Sequence, residues 1–171
     1  VDVSIVYPTV GLLLYSVPDS ALMTEIFRTY NDWLAEFCKP IPKRLQGIAM
    51  INIDDVPAGV KELERCQKMG LAGGMITVYP PEERPYHLAE YEPLWSAAED
   101  LGIPLGLHIA TNRPSPGQEF GVGEERVRIR PSFLANADHW VRMSLADMIF
   151  SGVFERHPNL QVGSVEMELS W

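Results

Sequence analysis

The chain has little cysteine, few histidines and no long apolar run. Its 171 residues include two cysteines, Cys38 and Cys66, which form no CxxC pair and lie in stretches of helical periodicity. We therefore predict buried thiols in a reducing, cytoplasmic compartment and no disulfide framework. The longest apolar runs, such as 10–15, are far shorter than a membrane-spanning helix.

Positive charge is also scarce. Fourteen Lys and Arg residues face 23 Asp and Glu residues, which gives a formal net charge of −9. Such a balance disfavours both a nucleic-acid backbone and an anionic membrane surface as partner. A small-molecule substrate is the expected partner, and we expect a homo-oligomer. No GxGxxG or GxxxxGK[ST] follows a predicted strand, so a nucleotide-binding α/β protein is a weak alternative.

The apolar residues of the chain follow a regular pattern. Short apolar runs alternate with longer segments in which apolar residues recur every three or four positions. This alternation predicts an α/β protein built from βα units around a parallel sheet. The predicted strands are 3–7, 45–51, 73–78, 104–109 and 160–166, and the predicted helices are about 20–39, 56–69, 88–101 and 137–155. We find no linker, so residues 1–171 are expected to form a single domain.

Segment 111–130 breaks this alternation. It is rich in Gly, Pro, Arg and Glu, has no apolar periodicity and is long for a connection after a strand. In a (β/α)8 barrel the loops that follow strands form the catalytic face, so this segment is a candidate substrate loop. A surface excursion without a role is the alternative.

Several segments, in order and spacing, resemble the amidohydrolase-related family that contains aminocarboxymuconate semialdehyde decarboxylase. They are YNDWL at 30–34, RLQGIAM at 44–50, PLW at 93–95 with AAE at 97–99, IPLGLH at 103–108 and HPNLQV at 157–162. The resemblance implies a (β/α)8 barrel of the TIM type, of which this chain covers roughly strands 2 to 6. It also implies a divalent metal, zinc or alternatively manganese, at the carboxyl ends of the strands.

In that family the metal ligands are an HxH pair on the first strand, a His on the fifth and an Asp on the eighth. On this mapping His108 takes the position of the strand-five ligand, and the other ligands are expected before Val1 and after Trp171. Where the decarboxylase branch carries a catalytic His on its sixth strand, this chain has Glu166, as other members of the family do.

Each candidate also has a plainer interpretation. Alone, His108 would more often be a buried, hydrogen-bonded histidine, and Glu166 would be either a surface carboxylate or a functional group. With the resemblance, His108 is the predicted metal ligand and Glu166 the predicted catalytic residue, which orients or deprotonates bound water or ligates the metal.

Other polar residues follow the predicted strands. Asn112 and Arg113 are predicted to bind substrate, because a guanidinium suits a carboxylate, although a solvated loop arginine is the alternative. Asp54 and Asp55 are explained more economically as caps of the next helix. His157 lies at the opposite end of its strand and is expected to be structural.

The leading hypothesis is a metal-dependent hydrolase acting on a small carboxylate, ester, lactone or amide. A metal-dependent decarboxylase of the same family is the alternative, and so is a non-catalytic truncated barrel. The last is favoured by the lack of HxH, HExxH or any second His at metal spacing.

A prediction concerns the 171 residues expressed alone. Five strands of an eight-stranded barrel leave two open edges and an uncovered inner face, so we expect the piece either to associate through those edges or to need its missing strands. We also expect it to bind divalent metal weakly at best. Sedimentation velocity and zinc titration measure these properties. A monodisperse monomer that unfolds cooperatively, or tight stoichiometric zinc binding, would contradict the expectation.

Overall fold

Five parallel strands form one sheet. The computed structural model describes residues 1–113, 136 and 138–167, and within them the strands lie in chain order, each paired in parallel with the next. They are β1 (Ser4–Val6), β2 (Leu45–Met50), β3 (Gly73–Ile76), β4 (Leu105–His108) and β5 (Val162–Val165). Every predicted strand is therefore confirmed, with ends trimmed to the residues that pair.

Helices connect the strands. They are α1 (Ser20–Cys38), α2 (Val56–Lys68), α3 (Glu92–Leu101), α4 (His139–Phe150) and α5 (Val153–Arg156), with 3₁₀ turns at Thr9–Ser16 and Ala89–Tyr91. Asp19 and Asp55 cap α1 and α2, each accepting a hydrogen bond of 3.0 Å from a backbone N–H. The prediction of one helix over 137–155 is wrong, because Gly152 takes a left-handed φ of 76° and separates α4 from α5.

The two faces of the sheet have different partners. Along β4, Leu105 and Leu107 join the large apolar cluster formed with the helices, so this face is the outer one. Gly106 and His108 point to the inner face by the two-residue alternation of a strand. A smaller cluster covers part of the inner face, where Tyr15 of the first 3₁₀ turn packs with Met50 and Met75.

Asn31 joins α1 to the centre of the sheet. Its fully buried side chain donates a 3.0 Å hydrogen bond to the Met50 carbonyl and accepts one of 2.8 Å from the Met50 N–H. The same amide donates to Glu62 of α2 at 2.9 Å. This asparagine belongs to the YNDWL segment, and its contacts explain why an amide suits that position.

Two expectations from composition also have structural outcomes. Cys38 and Cys66 are buried and not joined in a disulfide, as predicted. Within residues 1–113, 136 and 138–167, no helix combines the length and apolarity that a membrane span requires.

We predict that Asn31→Ala lowers the free energy of unfolding by about 2–4 kcal/mol, because the Met50 backbone groups lose their buried partner. Urea denaturation measures the change. Thr29→Ala on the same helix is the control, since its exposed hydroxyl only bonds back to the Glu25 carbonyl, and it should change stability by less than about 0.5 kcal/mol. Equal losses in the two variants would show that the Asn31 bonds add nothing.

Candidate active site at the carboxyl ends of the strands

His108 ends β4 on the inner face and is 3% exposed. Its Nδ1 lies 3.0 Å from the Ile109 carbonyl oxygen. A carbonyl only accepts hydrogen bonds, so Nδ1 is the donor, and in the neutral ring the lone pair is then on Nε2. In many metal sites a backbone carbonyl accepts a hydrogen bond from one ring nitrogen of a histidine and so orients the other nitrogen towards the metal.

Glu166 follows β5, the strand next to β4. Its Oε2 lies 3.8 Å from His108 Nε2, beyond hydrogen-bond distance, and its side chain is 69% exposed. Its φ of 57° is unusual for a residue with a Cβ and is a feature often found at functional sites. The structure thus brings the predicted metal ligand and the predicted catalytic residue together.

Tyr7 is a neighbour of His108 that the sequence analysis did not single out. It follows β1, and its ring centroid lies 5.2 Å from that of His108 at an interplanar angle of 58°. Burial raises the pKa of Tyr7 above its usual value, so the phenol is protonated at neutral pH. The sequence signal was its position at the carboxyl end of a predicted strand, where barrel enzymes place site residues.

Arg113 is tied to the loops around it. Its Nε lies 3.1 Å from both carboxylate oxygens of Asp54, and its Nη2 lies 2.6 Å from Oδ2. Its Nη1 donates to the carbonyls of Tyr15, at 3.2 Å, and Val17. Substrate binding by Arg113 stays a prediction, and the guanidinium would first have to leave these partners. The prediction that Asp54 caps α2 is wrong, since Asp55 is the cap and Asp54 pairs with Arg113.

The chain turns sharply after His108. Ala110 has a φ of 65°, and the buried Thr111 hydroxyl donates to the His108 carbonyl at 2.8 Å and accepts from the Val78 N–H at 2.7 Å. Asn112 is half-buried at the same end of the sheet, and substrate binding by it stays a prediction. Most of the predicted substrate loop 111–130 lies outside the described residues.

His157 lies at the other end of β5 and is structural, as expected. Its Nε2 is 2.9 Å from Glu92 and its Nδ1 is 3.1 Å from Glu99, both on α3. Hydrogen bonds from Arg156 and then from His157 hold the pKa of Glu92 below its usual value. This cluster joins α3 to the start of β5.

The donors at the carboxyl end fit part of a metal site. His108 offers an imidazole nitrogen and Glu166 a side-chain oxygen. Among residues 1–113, 136 and 138–167, no group of three or more potential ligands lies together. A complete set would need ligands from elsewhere in the protein, in keeping with the four protein positions that the resemblance implies.

Comparison with known proteins agrees with this geometry. Residues 16–167 match a family model described as amidohydrolase. The chain belongs to the amidohydrolase family.

Relatives of this amidohydrolase chain include several decarboxylases. It is 29% identical to the gamma-resorcylate decarboxylase of Rhizobium sp. (strain MTP-10005), over 86% of this chain and 46% of that protein. It is 26% identical to the 2-amino-3-carboxymuconate-6-semialdehyde decarboxylase of Dictyostelium discoideum, over 86% of this chain and 38% of that one. The chain thus spans less than half the length of these relatives.

Solved structures establish the fold of this amidohydrolase chain. The 2,6-dihydroxybenzoate decarboxylase from Rhizobium superposes with a TM-score of 0.69 at 26% identity, over 95% of this chain and 51% of that one. The dihydroxybenzoic acid decarboxylase from Polaromonas sp. JS666, with bound manganese and the inhibitor 2-nitroresorcinol, gives 0.65 at 25% identity, over 85% and 45%. The sheet is therefore about half of a TIM-type barrel, as predicted.

We predict that Arg113→Met lowers the free energy of unfolding by about 2–4 kcal/mol. The variant removes the hydrogen-bond donor shared by the Asp54 carboxylate and the carbonyls of Tyr15, Val17 and Pro18. Thermal and urea unfolding measure the loss. Arg142→Met is the matched control, since the Arg142 side chain is 42% exposed in its pair with Asp138 and should lose less than about 1 kcal/mol. A loss at Arg113 no larger than at Arg142 would contradict a structural role for this ion pair.

Proposed function

We propose that the full-length protein is a metal-dependent decarboxylase of a small aromatic carboxylate. The observation that carries the proposal is His108, whose Nδ1 faces a carbonyl and whose Nε2 faces Glu166 at the catalytic end of the sheet. The named activities of the relatives favour this alternative over the hydrolase that we placed first from sequence.

The metal is proposed to be divalent. Manganese is supported by the Polaromonas structure, and zinc suits an imidazole ligand equally well. When bound, the metal would act as a Lewis acid that neutralises the negative charge of the substrate oxygens. His108 would hold it through Nε2, with Nδ1–H fixed on the Ile109 carbonyl.

The role proposed for Glu166 is to supply a proton. In decarboxylation the bond between the ring carbon and the carboxylate breaks, carbon dioxide leaves, and the electron pair stays on the ring carbon. That carbon then takes a proton that Glu166 relays to it from water, and the hydroxide ion left over goes to the solvent. The 69% exposure of the Glu166 side chain gives it the necessary access to solvent.

A hydrolase remains the second candidate, and Glu166 is the observation that favours it. Members of the decarboxylase branch carry a histidine at this position, as noted from the resemblance. A carboxylate beside a metal can instead deprotonate bound water for attack on an ester or amide.

We predict that full-length, manganese-loaded protein releases carbon dioxide from 2,6-dihydroxybenzoate, as measured by a coupled assay and by chromatography of resorcinol. His108→Ala should lower both bound metal and turnover by roughly 10-fold or more, because a ligand is lost. Glu166→Gln should slow turnover roughly 10²-fold or more with metal content unchanged, because the proton donor is lost.

His87→Ala is the control for histidine removal, since His87 is half-exposed and lies near Asp147, away from β4. Its metal content and turnover should match the parent protein. Hydrolysis of esters or amides without carbon dioxide release would replace the decarboxylase with the hydrolase. Unchanged metal content in His108→Ala would remove His108 from the ligand set.

A further inference from the structure

The inner face beside His108 carries a strip without side chains. Gly106 of β4 and Gly163 of β5 are paired in register, two residues before His108 and Val165. A Cβ built on Gly163 would meet no described atom within 4 Å. One on Gly106 would make ordinary contacts, the shortest of them 3.6 Å to Val165 Cγ2. Because bulky branched residues dominate the interior of most TIM barrels, the two glycines leave unusual room next to His108.

Tyr7 reaches this strip from across the sheet. It follows β1, with β2 and β3 between that strand and β4. Its hydroxyl oxygen lies 3.9 Å from the Cβ position of Gly106, while its ring packs beside His108. The phenol therefore borders the bare backbone strip on the same side as the proposed metal ligand.

The Tyr7 hydroxyl differs from those of the fully buried tyrosines nearby. Tyr15, Tyr86 and Tyr91 donate to backbone carbonyls at 2.5, 2.6 and 2.7 Å and so hold strands and loops together. The Tyr7 hydroxyl makes no hydrogen bond to another described residue, although packing against His108 holds its ring in place. A phenol placed beside His108 in this way can donate a hydrogen bond to a ligand.

We propose that Tyr7 determines substrate specificity by donating a hydrogen bond to a ring oxygen of a planar carboxylate that lies over Gly106 and Gly163. This inference rests on the proposed function, which places the substrate carboxylate at the His108 end of the same strip. A flat ring suits a backbone surface without Cβ atoms. The hydroxyl of Tyr7 then distinguishes hydroxylated rings from bare ones.

The experiment compares two ligands in two variants of the full-length, manganese-loaded protein. Calorimetry measures the Kd of 2,6-dihydroxybenzoate and of benzoate for Tyr7→Phe, which keeps the ring against His108, and for Tyr30→Phe. Tyr30 is the matched control, because its hydroxyl also lacks a partner among the described residues but is buried on α1.

We expect Tyr7→Phe to weaken 2,6-dihydroxybenzoate binding by about 3–10-fold, as for one lost hydrogen bond, and to leave benzoate binding and metal content unchanged. Tyr30→Phe should alter neither Kd. Gly106→Ala should weaken both acids, since its methyl group enters the strip while its neighbours have room for it.

Three results would overturn the proposal. Equal weakening of both acids by Tyr7→Phe would mean that the hydroxyl acts through packing or through His108. Unchanged binding of both, with binding lost in His108→Ala, would remove Tyr7 from the ligand contacts and leave the proposed function standing. Failure of the parent protein to bind either acid would defeat the proposed function and this inference together.

Discussion

Two-residue alternation along β4 is the constraint on which the site depends. Leu105 and Leu107 must face the helices to complete the apolar core, and this fixes Gly106 and His108 on the inner face. A shift of one residue would bury the imidazole among the helices and expose two leucines. The parallel register then sets His108 beside Val165, so that Glu166 follows at the same end of the sheet.

The features predicted correctly from sequence are those that depend on local pattern. Apolar runs located the five strands, and Asp55 caps its helix as expected because a cap is a local hydrogen bond. The resemblance singles out His108 as the metal ligand, which stays a prediction, because the residue alone would not be distinguished from a buried structural histidine. The helix break at Gly152 was not predicted, because a single glycine is also tolerated inside helices.

Contacts distant in sequence were missed. Arg113 and Asp54 are 59 positions apart, and no spacing rule relates an arginine after one strand to an aspartate after another. The same holds for Tyr7 and His108, which meet only because the sheet curves between β1 and β4. The left-handed backbone at Ala110 and Glu166 was also beyond sequence reasoning, since neither residue type favours it.

The Arg113 contacts set an order for assembly of this end of the barrel. The Arg113 guanidinium donates to the carbonyls of Tyr15, Val17 and Pro18, in and just after the first 3₁₀ turn. These residues lie 95–98 positions earlier in the chain. Closing so long a loop costs chain entropy before any contact offsets it, so we expect these bonds to form after the local βα units. The chain must therefore be synthesised as far as Arg113, just after β4, before the segment after β1 can make these hydrogen bonds.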